Sequence, residues 1–393
     1  MRAMLKNRRG FTLTELIIVM VIFLVVMMIS AKAFKTIVDN SSQQSKSVET
    51  QIEGIVGLEV LRADLEQAGF GLPWTFQTAI TYEEATDVTS APASFWPTGK
   101  SPAFFNDAGA PGNPPRAILS GTTTFNKDAD NIGSSYLVIK STLAATNNTS
   151  KKWTTVSFDK DNVKSPPRLW GAADRDLAST ERVVVVKDSL MTTPPTRQLM
   201  ASAATVFSAP FGTYSTLTLP HQNGDTFEIY GVSPATPLRM PFNRADYYVT
   251  RPADKMPASC SANTGILYKS TINHSNGDTS VGMPLLDCVA DMQVVYGLDT
   301  SGGGFVNDHR SVPLVTAEEI RNQLKEIRVY ILAQEGRKDL SYRYPSETIM
   351  VGEKINGTDR GRLFNLKNLI GADYKYYRWK VYTIVVRPKN LIQ

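Results

Sequence analysis

The fold is decided by the stretch Arg8-Arg9-Gly10-Phe11-Thr12-Leu13-Thr14-Glu15, because a long apolar run follows it directly. Between Glu15 and Lys32 the chain contains no charged residue, no proline and no glycine. A helix from Phe11 to Ala31, rising about 1.5 Å per residue, would span roughly the 30 Å hydrocarbon core of a bilayer. The sequence therefore predicts a transmembrane helix over residues 11–31.

The ten residues before this helix form a basic leader that contains no acid. Basic residues beside a membrane helix stay in the cytoplasm, so the chain beyond Lys32 is expected on the opposite side. The formal net charge is +5, and four of the positive residues lie in the leader, which leaves +1 for the rest of the chain. A nearly neutral body argues against a general nucleic-acid-binding surface.

Glu15 does not fit a simple anchor, because an acid inside an apolar membrane segment is costly and is usually functional. The segment from Arg8 to Glu15 resembles the prepilin peptidase motif of type IV pilins and type II secretion pseudopilins. The resemblance implies cleavage by prepilin peptidase between Gly10 and Phe11, and N-methylation of Phe11. It also implies subunit assembly through Glu15, whose carboxylate would pair with the N-terminal amine of a neighbouring subunit. Such a pair is far less costly in an apolar core than either charge alone.

Two other interpretations of the N-terminus remain open. A secretory signal also places basic residues before an apolar run, and Ala31-Lys32-Ala33 loosely matches its cleavage site. An uncleaved single-span anchor would show the same hydropathy. Neither interpretation gives a reason for Glu15.

The helix is expected to continue over residues 32–72. Apolar residues recur at steps of three and four along one face through Leu58, Leu61 and Leu65, and Gly69-Phe70-Gly71-Leu72-Pro73 is expected to end the helix. The segment from Asp64 to Gly71 resembles the end of this helix in the large minor pilins of the PilW family.

The chain from residue 73 to residue 393 is expected to form one strand-rich head. Thr316 and Glu319 predict a capping box for a short helix, with Val315 and Ile320 as its hydrophobic staple. Alternating or β-branched runs predict strands at Tyr136–Lys140, Thr154–Phe158, Arg182–Lys187, Thr216–Leu219, Thr226–Val232, Tyr247–Thr250, Ile266–Lys269, Met292–Gly297, Ile327–Ala333 and Lys380–Arg387.

The segments from Ala290 to Gly297 and from Glu326 to Ala333 are also similar to a PilW-type head. The expected fold class is therefore α+β and pilin-like. A long N-terminal helix, transmembrane in its first half, packs on an antiparallel sheet that carries large strand-rich insertions.

The sequence offers no constellation for catalysis, no cofactor motif and no metal-ligand spacing, so we do not expect an enzyme. Cys260 and Cys288 are a candidate disulfide if the head is exported. Basic and aromatic residues are interleaved in Lys375-Tyr376-Tyr377-Arg378-Trp379-Lys380. The same pattern occurs in protein sites that bind single-stranded nucleic acid. We favour a half-exposed strand there and do not expect nucleic acid as a partner.

The resemblance implies a minor pilin of a type IV pilus that acts in assembly initiation and in the tip complex. The implied partners are the major pilin, other minor pilins, prepilin peptidase, the inner-membrane assembly platform and the lipid bilayer. The head would be periplasmic before assembly and on the cell surface afterwards. The alternatives are a J-type minor pseudopilin of type II secretion, a pilus-tip adhesin and a membrane-tethered periplasmic enzyme.

Overall fold

A computed structural model describes residues 12–76, 79–86, 101–107, 113–159, 162–189 and 196–391. The longest element is the helix α1, Leu13–Glu66, which contains 54 residues. Its first part, Leu13–Val38, has a mean hydropathy of 2.8 and is long and apolar enough to cross a membrane. The predicted N-terminal helix is confirmed.

α1 ends at Glu66, six residues before the expected boundary at residue 72. The reason is a change of backbone conformation, since Gly69 and Gly71 adopt φ values of +81° and +71°. Gly71 also packs closely against Thr142, since a Cβ at position 71 would lie 2.6 Å from the Thr142 side chain.

The head contains two further α-helices, α2 (Ala317–Gln323) and α3 (Leu366–Leu369). Its described strands are, in chain order, β1 (Thr75–Phe76), β2 (Ile118–Thr122), β3 (Ser135–Ser141), β4 (Trp153–Asp159), β5 (Asn162–Ser165), β6 (Arg182–Ser189), β7 (Thr196–Leu199), β8 (Ala209–Pro210), β9 (Thr226–Ser233), β10 (Asn243–Thr250), β11 (Gly265–Thr271), β12 (Met283–Leu298), β13 (Asp308–Arg310), β14 (Leu324–Glu335), β15 (Thr348–Ile355), β16 (Thr358–Asn365) and β17 (Arg378–Val386).

The larger sheet supports the second half of α1. Its strands are antiparallel in the order β17-β14-β12-β11-β10-β3-β2, with β13 paired to β12, and β15 and β16 form a separate two-stranded ribbon. Leu58, Leu61 and Leu65 of α1 are buried in the core of this sheet. Gly57 permits the contact, because a Cβ at that position would lie 1.9 Å from the carbonyl oxygen of Leu285 in β12.

The smaller sheet lies between residues 75 and 233 of the chain. Its order is β1-β7-β6-β9-β4-β5, with β8 paired to β6, and β1 runs parallel to β7 while the other pairs are antiparallel. Val184 and Val186 face the core that contains α1, whereas Val183 and Val185 face a second core on the opposite side of the sheet. The head is therefore two packed sheets with the helix on the larger one, which is an α+β, pilin-like arrangement.

The strands predicted from alternation are confirmed except one. Thr216–Leu219 was expected to be a strand, but its first half belongs to a 3₁₀-helical segment, Phe211–Leu217, and the rest is not in a strand. β-branched and aromatic residues favour a strand, yet this segment has no sheet partner and instead covers the second core through buried Leu217.

The capping box of α2 is confirmed, since Thr316 and Glu319 exchange their hydrogen bonds. The proposed staple is wrong, because the Val315 side chain is 74% exposed. Leu314, the preceding residue, is the one that is buried.

Candidate assembly site on the N-terminal helix

The N-terminus of α1 carries its one acid in a capping box. The Thr12 side chain accepts a hydrogen bond from the Glu15 N–H at 3.3 Å, and Glu15 Oε2 accepts from the Thr12 N–H and hydroxyl, both at 2.9 Å. These bonds satisfy backbone donors that a helix otherwise leaves unpaired at its start. The carboxylate of Glu15 is therefore held at the helix terminus and remains exposed.

The surface around Glu15 is apolar on every side of the helix. From Leu16 to Ile29 the large hydrophobic side chains are between 50% and 72% exposed. A surface of this kind needs either a membrane or other protein chains to cover it. Within such an apolar environment the chemistry open to Glu15 is to accept a cation, because an unpaired carboxylate there is costly.

Gly10 and Phe11, the residues expected at the cleavage and methylation site, lie outside the described residues. The cleavage site, the N-methylation and the pairing role of Glu15 therefore remain predictions.

Cys260 and Cys288 form a disulfide with a Cα–Cα distance of 5.0 Å across 28 positions of sequence. The bond ties the loop between β10 and β11 to β12. It lies in the head, in the part of the chain expected outside the cytoplasm.

A buried ion network in the head was missed by the sequence analysis. Arg244 is fully buried and forms ion pairs with Asp246 at 2.8 Å and with Glu84 at 3.2 Å. Lys140 is paired with the same Glu84 at 2.7 Å and with Asp107 at 2.6 Å. The network attaches Glu84 and Asp107 to β3 and β10.

Charge is balanced within this network, because Arg116 provides the third cation at 2.5 Å from Asp107. Burial raises the pKa of Asp107, but Lys140 and Arg116 outweigh it and bring the pKa below its usual value. A balanced and hydrogen-bonded set of this kind has a structural role. The pairs that join different parts of the chain, Lys140 with Asp107 and Arg244 with Glu84, are 33 and 160 residues apart in sequence, so no local pattern could have revealed them.

Only the second half of the aromatic and basic C-terminal segment is the expected strand, the start of β17, because Ala372–Tyr376 forms a 3₁₀ helix. Tyr377 and Trp379 are buried, and the Trp379 indole donates to the Tyr374 carbonyl at 2.9 Å. Arg378 and Lys380 are paired with acids, Asp339 at 3.0 Å and Glu335 at 2.9 Å. These contacts favour a structural strand over a nucleic-acid-binding strip.

The described residues contain no cluster of His, Cys, Asp or Glu that could hold a metal ion. A second missed feature is a surface cleft that contains Trp153 and Trp170. The signal that could have revealed it is a tryptophan two residues after a base, which occurs in both Lys151-Lys152-Trp153 and Arg168-Leu169-Trp170.

Two family models match the chain. The prokaryotic N-terminal methylation motif matches residues 5–31, and the type IV pilus-assembly protein W family, PilW, matches residues 246–390. Neither a curated protein nor a solved structure matches. The second match extends from β10 to just beyond β17, so it covers most of the larger sheet and none of the smaller one.

Proposed function

Because the chain matches a prepilin-like pilin of the PilW family, we propose that it acts in the initiation of type IV pilus assembly and belongs to the tip complex. The two matches support a type IV pilus minor pilin. The finer role rests on the chemistry of α1 and on the size of the head.

The observation that carries the proposal is an exposed apolar helix with one acid at its start. Leu13–Val38 buries nothing against the described head, and Glu15 is the only acid in that segment. A subunit entering a pilus exchanges lipid for the helices of its neighbours, and the apolar surface suits both environments. Glu15 then supplies the single polar contact that fixes the register of the new subunit.

Processing is the step that gives Glu15 its partner. Cleavage by prepilin peptidase after Gly10 would create a new amine at Phe11, which would then be N-methylated. The amine of one subunit would pair with the Glu15 carboxylate of the next. Because the chain retains this acid, we place a neighbouring subunit on its distal side instead of placing the chain at the extreme tip.

The head supports a minor rather than a major subunit. Two sheets and a ribbon over residues 73–393 make a bulky unit for close helical repetition along a whole fibre. A few copies near the tip avoid that crowding. We place the head in the periplasm before assembly and on the pilus afterwards.

The test is the behaviour of Glu15 variants in cells that lack the wild-type chain. Glu15→Val should insert into the membrane normally and fail to enter sheared pili, since the cation acceptor is lost. Glu15→Gln separates two roles, because an amide preserves the capping box but cannot form the ion pair. We expect Glu15→Gln to be excluded as well, at least tenfold below wild type on immunoblots of sheared pili.

Thr12→Ala is the matched control. It removes the cap but keeps the charge, so it should still be incorporated. Normal incorporation of Glu15→Gln, or exclusion of Thr12→Ala to the same degree, would contradict the pairing role. Loss of protein secretion with intact pili on deletion of the chain would instead favour a J-type pseudopilin of type II secretion.

A further inference from the structure

A cleft at the edge of the smaller sheet lies outside the part of the chain that matches the PilW family. It encloses about 320 Å³ between β4 and the segment after β5. Its walls carry Trp153 from β4, and Arg168, Trp170 and Arg175 from the following segment, with Lys151 at one end. None of these residues takes part in the assembly role proposed for α1.

Both tryptophans present large apolar surfaces to solvent. Trp153 and Trp170 are each 49% exposed, whereas Trp379 in the larger sheet is 7% exposed. Tryptophan is strongly favoured in protein interiors and at contacts, so half-exposed indoles that line a common cleft indicate a binding surface.

Hydrogen bonds hold the cleft in shape without a ligand. The Arg168 N–H donates to the Thr154 hydroxyl at 2.9 Å, which fixes this segment against β4. Asp176 accepts from the Trp170 N–H at 2.6 Å and from the Ala172 N–H at 3.1 Å. A ligand would therefore meet a wall that is already ordered, and this reduces the entropic cost of binding.

The cleft carries an excess of positive charge. Lys152 is buried and paired with Glu181 at 2.9 Å, so its charge is neutralised within the sheet. Lys151, Arg168 and Arg175 are exposed, and among the residues that the structure describes no carboxylate forms an ion pair with them. Asp174 is the one acid in the lining, which leaves three cations against it.

The Arg168 guanidinium is positioned by an aromatic ring. Its central carbon lies 3.7 Å from the centroid of the Trp170 ring, and that of Arg175 lies 6.0 Å from the same ring. Stacking fixes the plane of a guanidinium and leaves its edge available for two parallel hydrogen bonds to a carboxylate.

We propose that this cleft binds an acidic sugar residue of a polysaccharide or glycan. The C–H-rich face of a pyranose ring would pack on the exposed indole of Trp153, and its carboxylate would bind Arg168, with Arg175 and Lys151 nearby. The volume accommodates one or two sugar rings. Single-stranded nucleic acid fits less well, because it requires a cationic groove that follows several successive phosphates.

Isothermal titration calorimetry on the full-length chain in detergent tests the proposal. The ligands are a hyaluronan tetrasaccharide and tetragalacturonate, both uronic acids, with neutral chitotetraose and the oligonucleotide dT8 as comparisons. We expect at least one uronic-acid ligand to bind with a Kd below about 1 mM and the two comparisons to bind at least tenfold more weakly.

Variants locate the binding site. Trp153→Ala and Arg168→Ala should each weaken uronic-acid binding at least tenfold, while Trp153→Phe, which keeps an aromatic face, should lose less. Arg343→Ala is the matched control, since its guanidinium also stacks on an aromatic ring, 4.3 Å from the centroid of half-buried Tyr376, but outside the cleft. It should bind like wild type, and thermal unfolding of each variant verifies that the head is folded.

Three results would overturn the proposal. The first is that neither uronic-acid ligand binds the wild-type chain. The second is that chitotetraose or dT8 binds through the same residues as tightly as the uronic-acid ligands do. The site would then be one for neutral glycan or for nucleic acid. The third is that folded Trp153→Ala and Arg168→Ala variants bind the uronic-acid ligands as tightly as the wild-type chain does. None of these outcomes bears on pilus incorporation, which is measured separately with the Glu15 variants.

Discussion

The two halves of α1 are continuous in backbone and opposite in surroundings. Leu24, in the first half, is 62% exposed, whereas Leu61 and Leu65, in the second half, are fully buried against the larger sheet. The first half is apolar all round, and the second half is apolar on one face only. One helix thus serves two purposes: its second half completes the core of the head, and its first half carries an apolar surface that only a membrane or other subunits can cover.

Gly54 and Gly57 bring the last part of α1 close to β12, since a Cβ at Gly54 would lie 2.8 Å from the Leu286 side chain and Gly57 approaches the Leu285 carbonyl. Ile55 and Val56, between these glycines, are mostly exposed, whereas Leu58 is buried. A glycine reduces helix stability by about 1 kcal/mol relative to alanine, so its presence here reflects the contact with Leu285 and not helix propensity.

A leucine-to-alanine substitution should change the free energy of unfolding very differently in the two halves of α1. Leu61→Ala should lower the free energy of unfolding of the head by about 2–5 kcal/mol, because it leaves a cavity in a closed core. Leu24→Ala should leave head stability unchanged in detergent, since the side chain contacts none of that core. Urea unfolding of the two full-length variants, followed by tryptophan fluorescence, measures both values.

Equal destabilisation by the two variants would contradict the division of the helix. Incorporation into sheared pili provides a second measurement. A folded Leu24→Ala chain should be incorporated less well than its unchanged stability predicts. Leu24 then contributes to packing between subunits instead of to the head.

Lowering the pH should have a smaller effect on the free energy of unfolding, and this effect should arise only in the head. Burial lowers the pKa of His274 to about 4, and its ring contacts Asn243 at 3.0 Å. Because the folded pKa is depressed, the neutral ring stabilises the fold fully above the unfolded pKa of about 6.5, and this contribution is lost as the pH falls towards 4. The loss should approach about 3 kcal/mol at its limit.

Urea unfolding at pH 7.5, 5.5 and 4.5 checks this expectation, with His274→Gln as the control. The variant should lack the part of the pH dependence that arises from His274, so its curve should fall less steeply below pH 6.5. Parallel curves for variant and wild type would show that His274 does not carry the effect.

The structural features that could be predicted are those determined by residues close together in the sequence. Hydropathy predicts the helix, glycines at 69 and 71 predict its end, and Thr316 with Glu319 predicts a cap. The ion network around Arg244 could not be predicted, because Glu84 and Lys140 come from a distant segment and from another strand. The same is true of β1, which pairs in parallel with β7 more than a hundred residues later.

The smaller sheet shows the limit most clearly. Its strands at Arg182 and Thr226 were predicted from alternation, but their assembly into a separate sheet depends on pairings that no local pattern encodes. The 3₁₀ segment Phe211–Leu217 resembles a strand in composition and differs only because it lacks a partner. The cleft beside Trp153 arises from the same tertiary arrangement.

We propose that the mature chain starts at a processed Phe11, whose amine makes assembly through Glu15 feasible. Mass spectrometry of the N-terminal peptide from membranes and sheared pili tests it most directly, with Gly10→Val as a variant that should remain uncleaved. We expect a chain that starts at N-methylated Phe11. A chain that starts at Phe34, or one that retains Met1 and the leader, would contradict it.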